Sequence, residues 1–142
     1  MVAYSFKERF VDPIRAGTKL HTVRAARKRH ARPGEGLQLY AGMRTKNCRL
    51  IAMKDCAATL RIFVAPSADW VAVAEGYPWP GKFSGSPFAA SCANRFSYVD
   101  IEQFSRRDGF ADWAEMRAFW FHEHPETQEQ AFEGVLIRWW PK

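Results

Sequence analysis

"RAGTKLHTVRAARKRH", residues 15–30, gathers eight Arg, Lys and His side chains around one Gly and two Thr. From His21 to Ala26 the pattern is extended, which puts Thr22 and Arg24 on one face of a strand and His21, Val23 and Ala25 on the other. Lys19 and Thr22, three apart, point to opposite faces of a flat strand. They converge only if the chain bends near them, as Gly17-Thr18 just upstream permits. Such a bend aims a lysine and a hydroxyl into one cleft inside a cationic segment.

Working outward, YSFK (4–7) alternates aromatic and polar residues and predicts a first strand. Asp12-Pro13 starts a short helical turn that Gly17 ends. RKRHAR (27–32) is a basic loop closed by Pro33-Gly34, and Leu37 to Tyr40 follows as a strand. The Ile-, Val-, Leu- and Thr-rich stretch from Asn47 to Val64 predicts one long bent strand or a hairpin. Residues 65–95 contain GYPWPGKFSGSPFAAS (76–91), a Gly/Pro/Ser-rich loop or insertion. Ile101 to Arg107 reads as a helix. Asp112-x-x-Glu115 is a capping box opening another, with Trp113, Met116, Phe119 and Trp120 on its apolar stripe. Gly134 to Trp140 predicts a buried closing strand. Short strands with two or three helices suggest a single α+β domain on a small barrel or curled sheet.

The 142 residues, 47% of them hydrophobic, suffice for one domain with a sizeable core. No apolar run approaches the roughly 20 residues a bilayer span needs. Lys7, Glu8 and Arg9 interrupt any signal-peptide pattern, so the expected location is the cytoplasm. Cys48, Cys56 and Cys92 form no Cys-x-x-Cys pair and read as buried free thiols. The charge is polarised: residues 1–50 carry twelve Lys or Arg against three acids, +9, and the remainder nine against twelve, −3. A cationic face of this kind attracts phosphates, which makes a nucleic acid, a nucleotide or another polyanion the expected partner.

The run Gly17-x-Lys19-x-x-Thr22-x-Arg24, the Phe-containing strand before it, Pro33-Gly34-x-x-Leu37-x-Leu39-Tyr40 and Gly42-x-Arg44-Thr45 after it resemble the ASCH domain. Asp108-Gly109-Phe110 with its following helix, and the aromatic closing strand, extend the resemblance to nearly the whole chain outside about 65–95. It implies a PUA-like fold, a small mixed β-barrel with two or three flanking helices, and a cleft that receives a nucleobase or an RNA strand. Some small bacterial ASCH proteins are amidohydrolases that remove the acetyl group of acetylcytidine with a Lys, a Thr and a later Glu. By that resemblance the catalytic set is Lys19, Thr22 and Asp108, the last a shorter acid than the family's. Other ASCH proteins are connected with ribonuclease activity, and fold alone does not fix the reaction.

The residue chemistry is compatible with that implication. A hydroxyl such as Thr22 needs a neighbouring base, and Lys19 can serve if burial and the cations Arg24 and Arg27 lower its pKa. Asp108 could orient Lys19, accept from a nucleobase amine, or activate water. Arg24, Arg27, Lys28, Arg29, Arg32, Arg44 and Lys46 are the candidate phosphate contacts, and Tyr40, Trp79 or Phe83 could stack bases. A non-catalytic RNA-binding or regulatory module uses the same basic face without chemistry. No cofactor is implied: Gly34-Glu35-Gly36 is too short to cradle a phosphate. His122-Glu123-His124 puts its histidines on different helix directions without an evident third ligand, so no metal site is expected.

Overall fold

The computed structural model describes residues 1–74 and 96–141. Strand β1 (Val2–Phe6) turns Val2, Tyr4 and Phe6 into the core on its period of two. A 3-10 turn at Glu8–Phe10 leads into α1 (Val11–Ala16), which buries Val11 and Ile14 and ends on Gly17 at φ 80°, the left-handed conformation glycine adopts without penalty. β2 (His21–Arg24) and β3 (Gly36–Ala41) follow, with Leu37, Leu39 and Ala41 inward.

The Asn47–Val64 stretch forms one strand, β4 (Arg49–Ala65), rather than a hairpin. Its first half pairs antiparallel with β3, and its second half carries β7 and β5. Register shifts at Leu39/Tyr40 and at Cys56/Ala58 let so long a strand bend and change partners. β5 (Trp70–Ala74) lies inside the span expected as an insertion, and β6 (Phe96–Tyr98) pairs with it. The Gly76–Ser91 loop, with Trp79, Phe83 and the insertion up to residue 95, lies outside the described residues.

Helix α2 (Ile101–Arg107) is capped by the Asp100 carboxylate, which accepts from the Glu102 and Gln103 amides at 2.9 and 3.1 Å. Helix α3 (Trp113–Glu123) is capped by Asp112, which accepts from the Glu115 amide at 2.9 Å. The Glu115 carboxylate accepts from the Ala111 amide instead of completing the box. Trp113, Met116 and Trp120 are buried, while Phe119 is half-buried. After a 3-10 turn at Pro125–Gln128 the chain closes with β7 (Phe132–Trp139), antiparallel to both β4 and β2.

The architecture is thus mixed α+β on a seven-stranded sheet. The sheet is open: β1 pairs only with β3 and β2 only with β7 among the described residues, so the expected barrel is not closed. A side chain spans the gap instead, with the Arg24 guanidinium donating to the Ser5 carbonyl at 2.6 Å. No described helix is long and apolar enough to cross a membrane. Of the cysteines, Cys56 is buried, but Cys48 lies in the exposed turn before β4, contrary to expectation; Cys92 is outside the described residues.

Candidate active site

The gap between β1 and β2 opens into a cleft of about 300 Å³. Ser5 and Phe6 of β1 form one wall, Thr22 to Ala25 another, and Phe119, Trp120, Glu123 and His124 from the end of α3 a third. Lys19 and Asp108 lie at its base.

Local backbone geometry delivers Lys19. Past Gly17, the Thr18 and Lys19 amides both donate to the Pro13 carbonyl at 3.0 Å, folding the chain back over α1. The Leu20 amide then donates to the Arg107 carbonyl at 2.7 Å and its carbonyl accepts from Trp139, so the segment is tied to α2 and β7. Lys19 is 2% exposed, and its Nζ donates to the Asp108 backbone carbonyl at 2.7 Å and to Oδ1 at 3.0 Å. An ammonium at the C-terminal end of α2 also meets the negative end of the helix dipole. The Phe10 ring, 4.5 Å from Nζ, covers another side.

Asp108 serves a second group that the sequence reading missed. His21 is fully buried, its Nδ1 is 3.1 Å from Asp108 Oδ1, and its ring lies 4.5 Å from that of Phe104. The signal was there: Lys19 and His21 are two apart and share a direction. Burial dominates the electrostatics. Desolvation pushes the His21 pKa below its ordinary value, keeping the ring neutral at pH 7. Desolvation likewise lowers Lys19, more than the Asp108 carboxylate restores; Arg24 and Arg9, rather than the expected Arg27, add to the lowering. For Asp108 burial pushes upward, but Lys19 and His21 together outweigh it and hold the carboxyl below its usual range.

Thr22 is buried at the cleft wall, and its Oγ1 accepts from Arg24 Nε at 3.2 Å. Arg24 packs over the Phe6 and Tyr4 rings at 4.8 and 5.4 Å, which fixes the guanidinium between hydroxyl and seam. A hydroxyl that accepts from a cation gives up its proton more readily. Lys19, Thr22 and Asp108 therefore line one cleft, as the bend at Gly17-Thr18 suggested.

The basic residues divide. Arg24, Arg27 and Arg44 line a second, adjoining cleft with Tyr4, Ser5 and Met43. Lys28, Arg29, Arg32 and Lys46 are exposed, and Tyr40 is half-buried in β3 opposite Ser5. Arg29 is engaged by Glu35, which also accepts from the Arg32 amide and is held down to about pKa 2 by these partners. The basic loop is pinned through His30, whose Nδ1 bonds the Tyr4 hydroxyl and whose Nε2 bonds the Ala25 carbonyl, both at 2.9 Å.

Sequence reasoning also missed the α3 wall. His122 is largely exposed, but Glu123 and His124 line the cleft, and Lys7 Nζ is 3.2 Å from Glu123 Oε1. Among the described residues no group of three or more His, Cys, Asp or Glu is placed to hold a metal ion. No family model, curated protein or solved structure matches the chain, so the geometry of the cleft carries the functional reading.

Proposed function

We propose that the chain is a cytosolic ASCH-type, PUA-like domain that binds RNA or a modified nucleoside in the β1–β2 cleft and hydrolyses an acetylated cytidine amide there. The carrying observation is the buried Lys19–Asp108 pair in the same cleft as a Thr22 hydroxyl that already accepts from Arg24. In the PUA-like reading the seam crossed by Arg24 is where the barrel would close.

In the reaction, Thr22 Oγ1 adds to the acetyl carbonyl carbon and its proton passes to the neutral amine of Lys19. Lowering of the Lys19 pKa by burial raises the share of that amine at neutral pH. The Arg24 guanidinium, whose Nε is 3.2 Å from Thr22 Oγ1, is the cation this reading assigns to the developing oxyanion. The carbon–nitrogen bond then breaks, Lys19 returns the proton to the exocyclic nitrogen, and cytidine leaves. Water hydrolyses the acetyl-Thr22 ester to acetate and restores the hydroxyl. Asp108 stays ionised throughout and positions Lys19.

The test is release of acetate from N4-acetylcytidine, run beside a labelled single-stranded RNA, by wild type, Lys19→Ala and Thr22→Val. Amide turnover lost in both variants supports the proposal; cleavage of RNA in place of the amide converts it to a ribonuclease. A second reading, a non-catalytic RNA-binding module, is favoured by the adjoining Arg24, Arg27 and Arg44 cleft. It is supported if neither substrate turns over while RNA binding falls steeply with salt.

A further inference from the structure

Two carboxylates line the cleft, and they differ in how open they are to a ligand. Asp108 is 8% exposed, and its Oδ1 already faces Lys19 and His21. Glu123 is 26% exposed; its Oε1 lies 3.2 Å from Lys7 Nζ and its Oε2 accepts from His122 at 2.9 Å. A carboxylate offers about four acceptor positions, and an ammonium three donors. Lys7 and Glu123 therefore each keep bonding capacity for a ligand after pairing, and both line the cleft.

The aromatic surroundings restrict that ligand. Trp120, His124 and Phe132 pack with ring centroids 4.9 to 5.1 Å apart, and all three line the cleft. An aromatic wall favours a planar heterocycle, and a hydrogen-bonding edge turned toward Lys7 and Glu123 would meet a donor beside an acceptor. A base with an exocyclic N–H next to a ring acceptor nitrogen, as in cytosine, adenine and their N-acyl forms, presents the complement. An exocyclic carbonyl at the same position turns lone pairs toward the carboxylate.

Resting on the hydrolase reading above for the orientation of the base, we propose that the Lys7–Glu123 pair selects the nucleobase, with Glu123 accepting from the exocyclic N–H and Lys7 donating to the neighbouring ring acceptor. These are specificity residues: no bond is made or broken at either.

Calorimetric binding of cytidine and of uridine tests this without turnover. Wild type is expected to prefer cytidine by at least about fivefold. Glu123→Gln, whose amide both donates and accepts, should shrink the preference. The exchanged pair, Lys7→Glu with Glu123→Lys, keeps the salt bridge but reverses donor and acceptor, so the preference should vanish or invert at an unchanged melting temperature. Equal binding of the two nucleosides by wild type, binding of neither, or a preference untouched in both variants overturns the proposal. Preference without acetylcytidine turnover sinks the hydrolase and leaves base selection standing; turnover with no preference does the reverse.

Discussion

Replacing Asp108 with Asn removes one negative charge from the centre of the site and changes little else in shape. Lys19 Nζ keeps its 2.7 Å bond to the residue 108 backbone carbonyl but loses the carboxylate at 3.0 Å, and His21 loses its anionic partner. A buried, unpaired ammonium can escape only by giving up its proton. At pH 7 that costs at most about 1.36 kcal/mol for each unit between 7 and the ordinary lysine value near 10.4, or about 4.6 kcal/mol. Cleaving a buried ion pair from one side costs about 3–5 kcal/mol, the same range. Asp108→Asn should therefore lose about 3–5 kcal/mol in urea unfolding at pH 7, with an unchanged slope against denaturant. The unfolded chain binds the proton that the folded variant has shed, so the variant gains stability as pH rises toward 10.4. The gap from wild type should narrow by up to about 1.4 kcal/mol per pH unit. Lys19→Met placed on Asp108→Asn should recover part of the loss, because no charge then needs a partner. A loss below about 1 kcal/mol, or one that is flat between pH 7 and 9.5, refutes the argument that burial of Lys19 depends on Asp108.

His21 and His30 both have pKa values lowered chiefly by burial, so the unfolded chain binds more protons than the folded one just below the ordinary histidine value of about 6.5. Stability should be fully present above that value and fall as pH drops through it; thermal melts at pH 7.5, 6 and 5 check this, and a His30→Gln variant should flatten part of the slope. Gly134 sits where an added Cβ would strike the Arg24 carbonyl of β2 and the Phe132 ring. Gly134→Ala should force β2 away from β7 at a cost of at least about 1–3 kcal/mol and disorder the Thr22 and Arg24 positions, read as lost amide-exchange protection at Val23.

Much of this frame could be read directly from residue spacing. The alternation in β1 and β3, the glycine stop after α1, and the Asp caps of α2 and α3 are local decisions, made within a turn or a period of two. The bend that brings Lys19 and Thr22 to one cleft was local too. What escaped the reading depends on chain segments meeting at long range. The spacing of His21 from Lys19 is the one local hint that both face Asp108, while the Lys7–Glu123 pair, which joins β1's end to α3's end, has no local signal. Helix geometry argues against a metal site at His122-Glu123-His124, and the same geometry sends His122 outward while Glu123 lines the cleft. Whether a curled sheet closes depends on a seam whose bridging group is a side chain, and residue patterns along a strand do not report that.

The pairing of β2 carries a consequence for the order of assembly. β1, β3 and the first half of β4 lie within residues 2–55 and pair over shorter spans of chain than β2 needs. β2, though it sits between them in sequence, has β7 as its strand partner, Arg24 opposite Val135. Loop closure over so long a span is slow compared with hairpin formation. On sequence separation alone, Thr22 and Arg24 are expected to acquire their positions late, after the sheet that frames them. A nascent or partly refolded chain would hold a sheet without the Thr22 and Arg24 wall of the cleft, and any ligand binding there would lag behind acquisition of structure.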